Sequence, residues 1–415
     1  MNTNTLREII IQQNSINVDD NLIVRDKFSS IKEMPSVIIL SGIRRCGKST
    51  LMQQIRAIST EKDYYLNFDD ERLLHFTKDD FQQLYETFIE LFGFQKTFYF
   101  DEIQNIKYWE YFIRRLHNEG NKVYITGSNA NLLSKELGTH LTGRHIQVEL
   151  FPFSFKEYLD FNGVNIEKND FYTTEGKANL RKQFANYFNE GGLPEYLRTK
   201  SAEYLKSLYD SILYRDILVR NKVQNEYEIR ELGYFVAGNI SKAISFNSLK
   251  NIINVKHVNT VKNYLNYFED TYLIFLLSKF DYSIKKQISN PKKIYFIDNA
   301  LAKNTSFRFS EDRGRFLENI VFIELKRRGH ELFYHKVKKE CDFIIREKSR
   351  ITQAIQVTTS LDDHKTKERE TAGLLEAMDT HDLKEGLILT ENEKYDIDAG
   401  DRMIKVLPVY EWLLK

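Results

Sequence analysis

Cysteine is scarce in this chain: only Cys46 and Cys341 occur in 415 residues. So sparse a supply, with the pair far apart, excludes a disulfide scaffold and fits a reducing cytoplasm. An excess of charge of one sign is also lacking. Sixty basic side chains stand against 59 acidic ones, a formal charge of +1, so no overall field holds the protein on DNA or an anionic membrane. Any nucleic-acid site must then be a local patch. Long apolar runs are missing as well. The polar segment Met1 to Glu8 is not a signal peptide. The most apolar later stretch, Tyr272 to Leu277, is far shorter than the ~20 residues that span a bilayer. Neither secretion nor membrane insertion is expected, and no repeat or low-complexity segment interrupts the chain.

What is present is the composition of a folded protein, 42% hydrophobic and 13% aromatic, with enough length for two to four domains. From Ser36 to about Phe155, short apolar runs alternate with helical patterns, the rhythm of parallel β-α units. Val37 to Leu40, Tyr64 to Phe68, Phe98 to Phe100, Val123 to Thr126 and Ile146 to Leu150 predict a five-stranded doubly wound sheet. Residues 156–225 read as a helical lid, with Leu205, Leu208, Ile212 and Ile217 at helical spacing. Gly191-Gly192-Leu193-Pro194 reads as a simple interhelical turn within it. Residues 226–300 follow a winged helix-turn-helix outline, with helices at Ile229–Ile240, Ser248–Ile253 and Asn259–Asp270 and then a strand pair flanking a basic turn. Residues 310–415 predict a second α/β domain, opened by a helix at Arg315–Arg328.

Gly42-Ile43-Arg44-Arg45-Cys46-Gly47-Lys48-Ser49-Thr50 follows an apolar strand and precedes a helical segment, which is the context a phosphate-binding loop needs. The two glycines let successive amides point inward at phosphate oxygens, and the following helix adds its positive end. Lys48 is placed to reach β- and γ-phosphates, and Ser49 to put its hydroxyl on Mg2+. Phe98-Tyr99-Phe100-Asp101-Glu102 ends a strand in two carboxylates, at the sheet edge where ligands bind. Asp101 is the candidate metal holder, and Glu102 the candidate base that orients and deprotonates water. Ser128 and Asn129 follow the next strand, either as γ-phosphate sensors or as the cap of a following helix. These residues predict an ATP- and Mg2+-dependent hydrolase.

Those motifs, with Tyr65-Leu66-Asn67-Phe68-Asp69-Asp70-Glu71-Arg72, Thr126-Gly127-Ser128, Leu141-Thr142-Gly143-Arg144, Phe151-Pro152-Phe153-Ser154-Phe155, Gly191-Gly192-Leu193-Pro194-Glu195, Gly314-Arg315 and Glu318-Asn319, carry a resemblance over nearly the whole chain. It resembles the prokaryotic AAA-type P-loop ATPases fused to a carboxyl-terminal domain of unknown function. The resemblance implies an AAA-type core over residues 1–155 and casts Arg144 as an arginine finger or sensor for charge on the γ-phosphate. It also implies a restriction-endonuclease-like last domain, similar to PD-(D/E)xK nucleases. There Asp342 fits the strand acid and Glu318 the helical acid. Gln356 and Thr358 stand where a second acid and a lysine belong, so cleavage is not expected. Lys336, Lys338 or Lys339 could substitute, or form a solvated turn.

Lys256, His257 and Lys262 open the third helix of the winged-helix outline, and Lys285, Lys286, Lys292 and Lys293 crowd its basic turn. Together they form the candidate DNA contact. A structural or protein-docking role fits the same module, and a protein partner or a second copy of the chain is the alternative to DNA. The expected function is ATP hydrolysis that drives or gates rearrangement of a DNA or protein assembly. The alternatives are an ATP-gated binding switch and an ATP-regulated nuclease acting against foreign DNA.

Overall fold

A computed structural model describes residues 1–15, 22–34, 37–127, 145–306 and 312–415. The chain divides into two compact units, Met1–Phe151 and Pro152–Lys415. No helix among the described residues is long and apolar enough to cross a membrane.

The first unit is built on strands β1 (Val37–Ser41), β2 (Tyr65–Asn67), β3 (Thr97–Asp101), β4 (Lys122–Gly127) and β5 (His145–Glu149), all parallel, in the order β2-β3-β4-β1-β5. A parallel sheet is covered on both faces, so its central strands need apolar side chains at every position. All five residues of β1 are buried accordingly. One face packs an aromatic cluster that includes Tyr64, Phe68, Phe81, Phe88, Phe98, Phe100 and Phe112. Phe81 and Phe112 stack with centroids 4.5 Å apart, and Tyr64 and Phe88 at 4.9 Å.

A helix at Thr3–Asn14, unannounced by the sequence reading, buries Leu6, Ile9 and Ile10 on this core through three- and four-residue spacing. Its Gln13 also closes the open edge of β2. The Gln13 carbonyl accepts from the Asn67 amide at 2.8 Å, and its side-chain amide donates to the Asn67 carbonyl at 3.2 Å. Backbone groups that would otherwise template another strand are thereby partly used.

The second unit begins with helices at Phe155–Phe161, Thr174–Glu190, Pro194–Thr199 and Ala202–Ser211, the last continuing into a π-wound segment, Ile212–Val219. Ser154 and Glu157 form a reciprocal capping box that starts the first of them. The Gly191-Gly192 segment is more than the simple turn expected. A Cβ on Gly192 would lie 2.3 Å from the Phe153 carbonyl oxygen, and the Gly192 amide donates to buried Asp298 at 2.7 Å. Glycine is required because another part of the backbone passes through the space a side chain would fill.

Helices Glu226–Ala237, Phe246–Ile252 and Val258–Asp270 follow, with a small antiparallel sheet of β6 (Ala243–Ile244), β7 (Ile274–Ser278) and β8 (Lys292–Phe296) in the order β6-β8-β7. The expected basic turn between β7 and β8 contains a short helix, Ile284–Ser289. After a helix at Arg313–Arg327 come β9 (Glu331–Lys336), β10 (Glu340–Glu347) and β11 (Arg350–Val357), a helix at His364–His381, and β12 (Glu385–Thr390), β13 (Tyr395–Asp398) and β14 (Met403–Pro408). They form a mixed six-stranded sheet ordered β13-β14-β12-β11-β10-β9, in which β11, β12 and β14 are parallel.

Asn319 joins the small sheet to the helix Arg313–Arg327. Its side chain accepts from the Phe296 amide at 2.8 Å and donates to the Phe296 carbonyl at 2.9 Å. Nearby, the Glu269 carboxylate accepts from the Leu276 amide at 2.9 Å, and burial pushes its pKa up to about 7. The folded chain therefore keeps a proton that the unfolded chain loses near pH 4.5. That contribution to stability is complete below the unfolded value and is lost as pH rises through about 7. Thermal unfolding of Glu269→Gln should show a smaller loss of stability than wild type between pH 5 and pH 8.

Candidate functional site

Three parallel strands deliver their carboxyl ends to one place. β1 runs directly into the loop Gly42 to Gly47 and the helix Lys48–Ala57. Gly42 at φ 152° and Gly47 at φ 100° adopt backbone conformations that L side chains rarely reach. A Cβ on Gly42 would stand 2.2 Å from the Leu150 carbonyl oxygen. Buried Cys46 packs there too, its Sγ donating to the same carbonyl at 3.3 Å, and is structural rather than reactive. Lys48 is also buried, and its Nζ donates to the carbonyls of Gly42 and Ile43 at 3.0 and 2.9 Å.

β4 lies between β1 and β3, and the β3–β4 register sets Phe100 against Ile125, so Asp101 and Thr126 are neighbours at the sheet edge. The Thr126 hydroxyl donates to Asp101 Oδ1, while its oxygen accepts from the Glu102 amide at 3.1 Å. One buried hydroxyl therefore binds the Asp101 carboxylate and the backbone of Glu102. Glu102 takes a left-handed conformation, φ 53°, at the start of the 3-10 turn Ile103–Asn105, and Gln104 donates to its carboxylate. Burial raises the pKa of Asp101, against the hydroxyls of Thr126 and Ser49 and the charge of Lys48. Burial raises Glu102 as well, opposed by Lys48.

Ser49 and Asp101 are thus adjacent, as a shared Mg2+ would require, and Lys48 borders both acids. Thr126 does a job that the sequence reading left unassigned, and Arg25 does another. Buried Arg25 donates to the carbonyls of Cys46 at 2.8 Å and Phe151, pinning the outside of the loop. The sequence signals for Thr126 were its position at a strand end and its place in Thr126-Gly127-Ser128, one of the motifs that carry the family resemblance, while nothing signalled Arg25. Ser128, Asn129 and Arg144 lie outside the described residues.

A second constellation sits in the second unit, at a cavity of about 650 Å³ lined in part by Glu318, Asp342, Gln356 and Thr358. The structure brings these four residues together. Lys293 reaches Asp342 and Glu340 at 2.9 Å and Glu318 at 3.0 Å. Burial alone would favour its neutral amine, yet Asp342 and Glu318 raise its pKa well above the ordinary value. Burial and neighbouring Asp342 push Glu318 up, and the Tyr295 hydroxyl donates to it at 2.6 Å. Gln356 accepts from the Asp342 amide at 3.2 Å and donates to Glu370 at 2.6 Å.

These positions correct the expectation that Lys292 and Lys293 contact DNA. Lys293 is 1% exposed and Lys292 9% exposed, so neither lies on a DNA-facing turn. Lys292 donates to the Ser278 hydroxyl at 2.9 Å and to the Gln287 carbonyl, which ties the β7–β8 hairpin together. The strand period explains the error, because it cannot tell which lysines of a hairpin turn inward. Lys336 pairs with Glu340 at 3.0 Å, and the amides of Lys338 and Lys339 bind the Glu376 carboxylate. Lys336 thus reaches one of the carboxylates, and the lysine that reaches Asp342 and Glu318 is Lys293, from another element. Lys256, His257, Lys285 and Lys286 are exposed, and Lys262 is partly so.

Residues 34–159 match the family described as AAA domain, and residues 181–312 match a domain of unknown function, DUF8612. An uncharacterized protein of Methanocaldococcus jannaschii is 36% identical over 98% of this chain and 94% of its own length. An uncharacterized protein of Haemophilus influenzae is 31% identical over 92% of this chain and 96% of its own. Among solved structures, AMPPCP-bound DnaA from Aquifex aeolicus is 15% identical with a TM-score of 0.24, covering 59% of this chain and 85% of that one. Cdc6p from Pyrobaculum aerophilum is 10% identical with a TM-score of 0.26, covering 74% and 98%. At those scores the structural likeness carries no argument. The sequence matches do: the chain belongs to the family of the Methanocaldococcus jannaschii protein, and its first unit carries an AAA-type, ATP-binding P-loop ATPase domain.

Proposed function

We propose that the first unit hydrolyses ATP with Mg2+ and that turnover drives or gates rearrangement of a DNA or protein assembly. The observation that carries the hydrolytic part is the Thr126 hydroxyl, which holds the Asp101 carboxylate and the Glu102 backbone beside the loop. In this reading Ser49 and Asp101 hold the metal, which supplies charge neutralisation on the phosphates. Lys48 exchanges its loop carbonyls for phosphate oxygens, and Glu102 accepts a proton from the attacking water. Arg144 neutralises charge developing on the γ-phosphate, and Ser128 or Asn129 senses that group. Two acids of different duty favour water over an alcohol acceptor, hence hydrolase over kinase.

For the second unit we propose a helical lid over residues 156–225, a winged helix over 226–300 and a nuclease-like fold over 310–415. Support for the winged helix is the order of three helices and a hairpin. Support for the nuclease-like fold is a helix followed by three antiparallel strands, a second helix and a parallel strand, with Glu318, Asp342 and Gln356 at one cavity. Exposed Lys256, His257, Lys285 and Lys286, with Lys262, supply the phosphate-contacting surface of this reading.

ATP hydrolysis measured with and without duplex DNA tests the reading. Lys48→Ala should abolish nucleotide binding, and Glu102→Gln should keep binding while lowering kcat by about 10²–10⁴. Wild-type protein that binds ATP and never turns it over would sink the hydrolase reading in favour of a switch. Thr126→Val should leave ATP affinity close to wild type and lower turnover by about 10–100-fold, as loss of a ligand-orienting partner does. Replacing Lys256, Lys262, Lys285 and Lys286 together with alanine should weaken DNA binding and flatten its salt dependence by about one unit of slope per lost phosphate contact. Unchanged binding would leave the module to protein docking.

A further inference from the structure

The carboxylates of the second unit's cavity already surround a cation of the protein's own. The Lys293 side chain is only 2% exposed, and its three ammonium donors meet Asp342 and Glu340 at 2.9 Å and Glu318 at 3.0 Å. The acids come from a helix, Arg313–Arg327, and from β10, while the lysine comes from β8 of the small sheet. A divalent ion bound by protein carboxylates asks for this same convergence of oxygens at a cavity wall.

Several neighbouring groups are already engaged with other protein partners. The second Asp342 oxygen accepts from the Val357 amide at 3.0 Å, and the Glu318 oxygen facing Lys293 also accepts from Tyr295. Glu340 is shared with Lys336. The Gln356 carbonyl oxygen is turned onto the Asp342 amide, and its NH2 onto Glu370. The strand position that would bring a second negative ligand therefore brings neither a charge nor an oxygen aimed at the centre. Each of the three ammonium donors therefore meets a carboxylate oxygen.

We propose that Lys293 is a tethered cation that fills this carboxylate centre in place of a divalent metal ion, so the second unit keeps its cavity metal-free. An arriving ion must expel the ammonium, and a displaced ammonium would be stranded without its partners in a buried site. The residues present do not fit a metal-dependent nuclease centre, and no cleavage step is derived through one. The proposal stands on these distances and is independent of the ATPase reading, so failure of either leaves the other intact.

Mn2+ binding to the full-length, nucleotide-free chain, followed by electron paramagnetic resonance, tests it. Wild type should show no Mn2+ site that responds to Asp342→Asn. Lys293→Met should gain one site per chain, at least about ten-fold tighter than any wild-type binding. Mn2+ should raise the Tm of that variant, and adding Asp342→Asn should remove both effects. A wild-type Mn2+ site abolished by Asp342→Asn overturns the proposal. So does a folded Lys293→Met variant that gains no binding. If Lys293→Met folds only in the presence of Mn2+, the lysine and the metal are interchangeable and the proposal holds. If it fails to fold with and without Mn2+, while the charge-retaining Lys293→Arg folds, the centre accepts only an organic cation and the proposal falls.

Discussion

The placement of β4 between β1 and β3 is the constraint on which the nucleotide site depends. Had β3 paired directly with β1, the acidic pair would abut the loop with nothing between them to orient it. Inserting a strand opens one strand spacing, close to 4.8 Å, and fills it with the Thr126 hydroxyl. That hydroxyl has one proton and two lone pairs, so it can give to Asp101 and take from the Glu102 amide at once. Parallel pairing does the rest, since it brings the loop, the acids and the hydroxyl to the same edge of the sheet.

The loop is held from outside as firmly as from within. Arg25 ties the carbonyl of Cys46 to that of Phe151, and Gly42 lies against Leu150 with no room for a methyl group. A rigid loop keeps its amides aligned, so ordering them need not be paid for when phosphate arrives. The lysine that would meet the phosphate rests meanwhile on two loop carbonyls, which satisfies its charge in a buried position.

The second unit relies on a different economy of charge. Moving an ammonium out of water costs several kcal/mol, and removing one partner of a buried ion set typically costs about 3–5 kcal/mol. Against a domain stability of only ~5–15 kcal/mol, breaking the Lys293 cluster, which joins the small sheet to the helix Arg313–Arg327 and β10, is a large loss. Asn319 adjoins Glu318 in sequence and binds the Phe296 backbone, so two consecutive residues of one helix hold both ends of β8.

The sequence by itself determined what depends on neighbours along the chain. Glycine spacing, an apolar strand before it and a helix after it made the phosphate loop legible, and Asp101-Glu102 at the end of an aromatic strand identified the acids. The strands of the first unit and many helices of both units were legible for the same reason, because periodicity is local, whereas the helices Thr3–Asn14 and Ile284–Ser289 were not. Tertiary structure decided what depends on partners distant in sequence. No spacing links Thr126 to Asp101, Arg25 to Phe151, or Gln356 to Glu370. Lys293 shows the limit best: a basic hairpin reads as a surface, and only folding, which turns one lysine of the hairpin inward against acids 25 and 49 residues away, makes it the centre of a buried ion cluster.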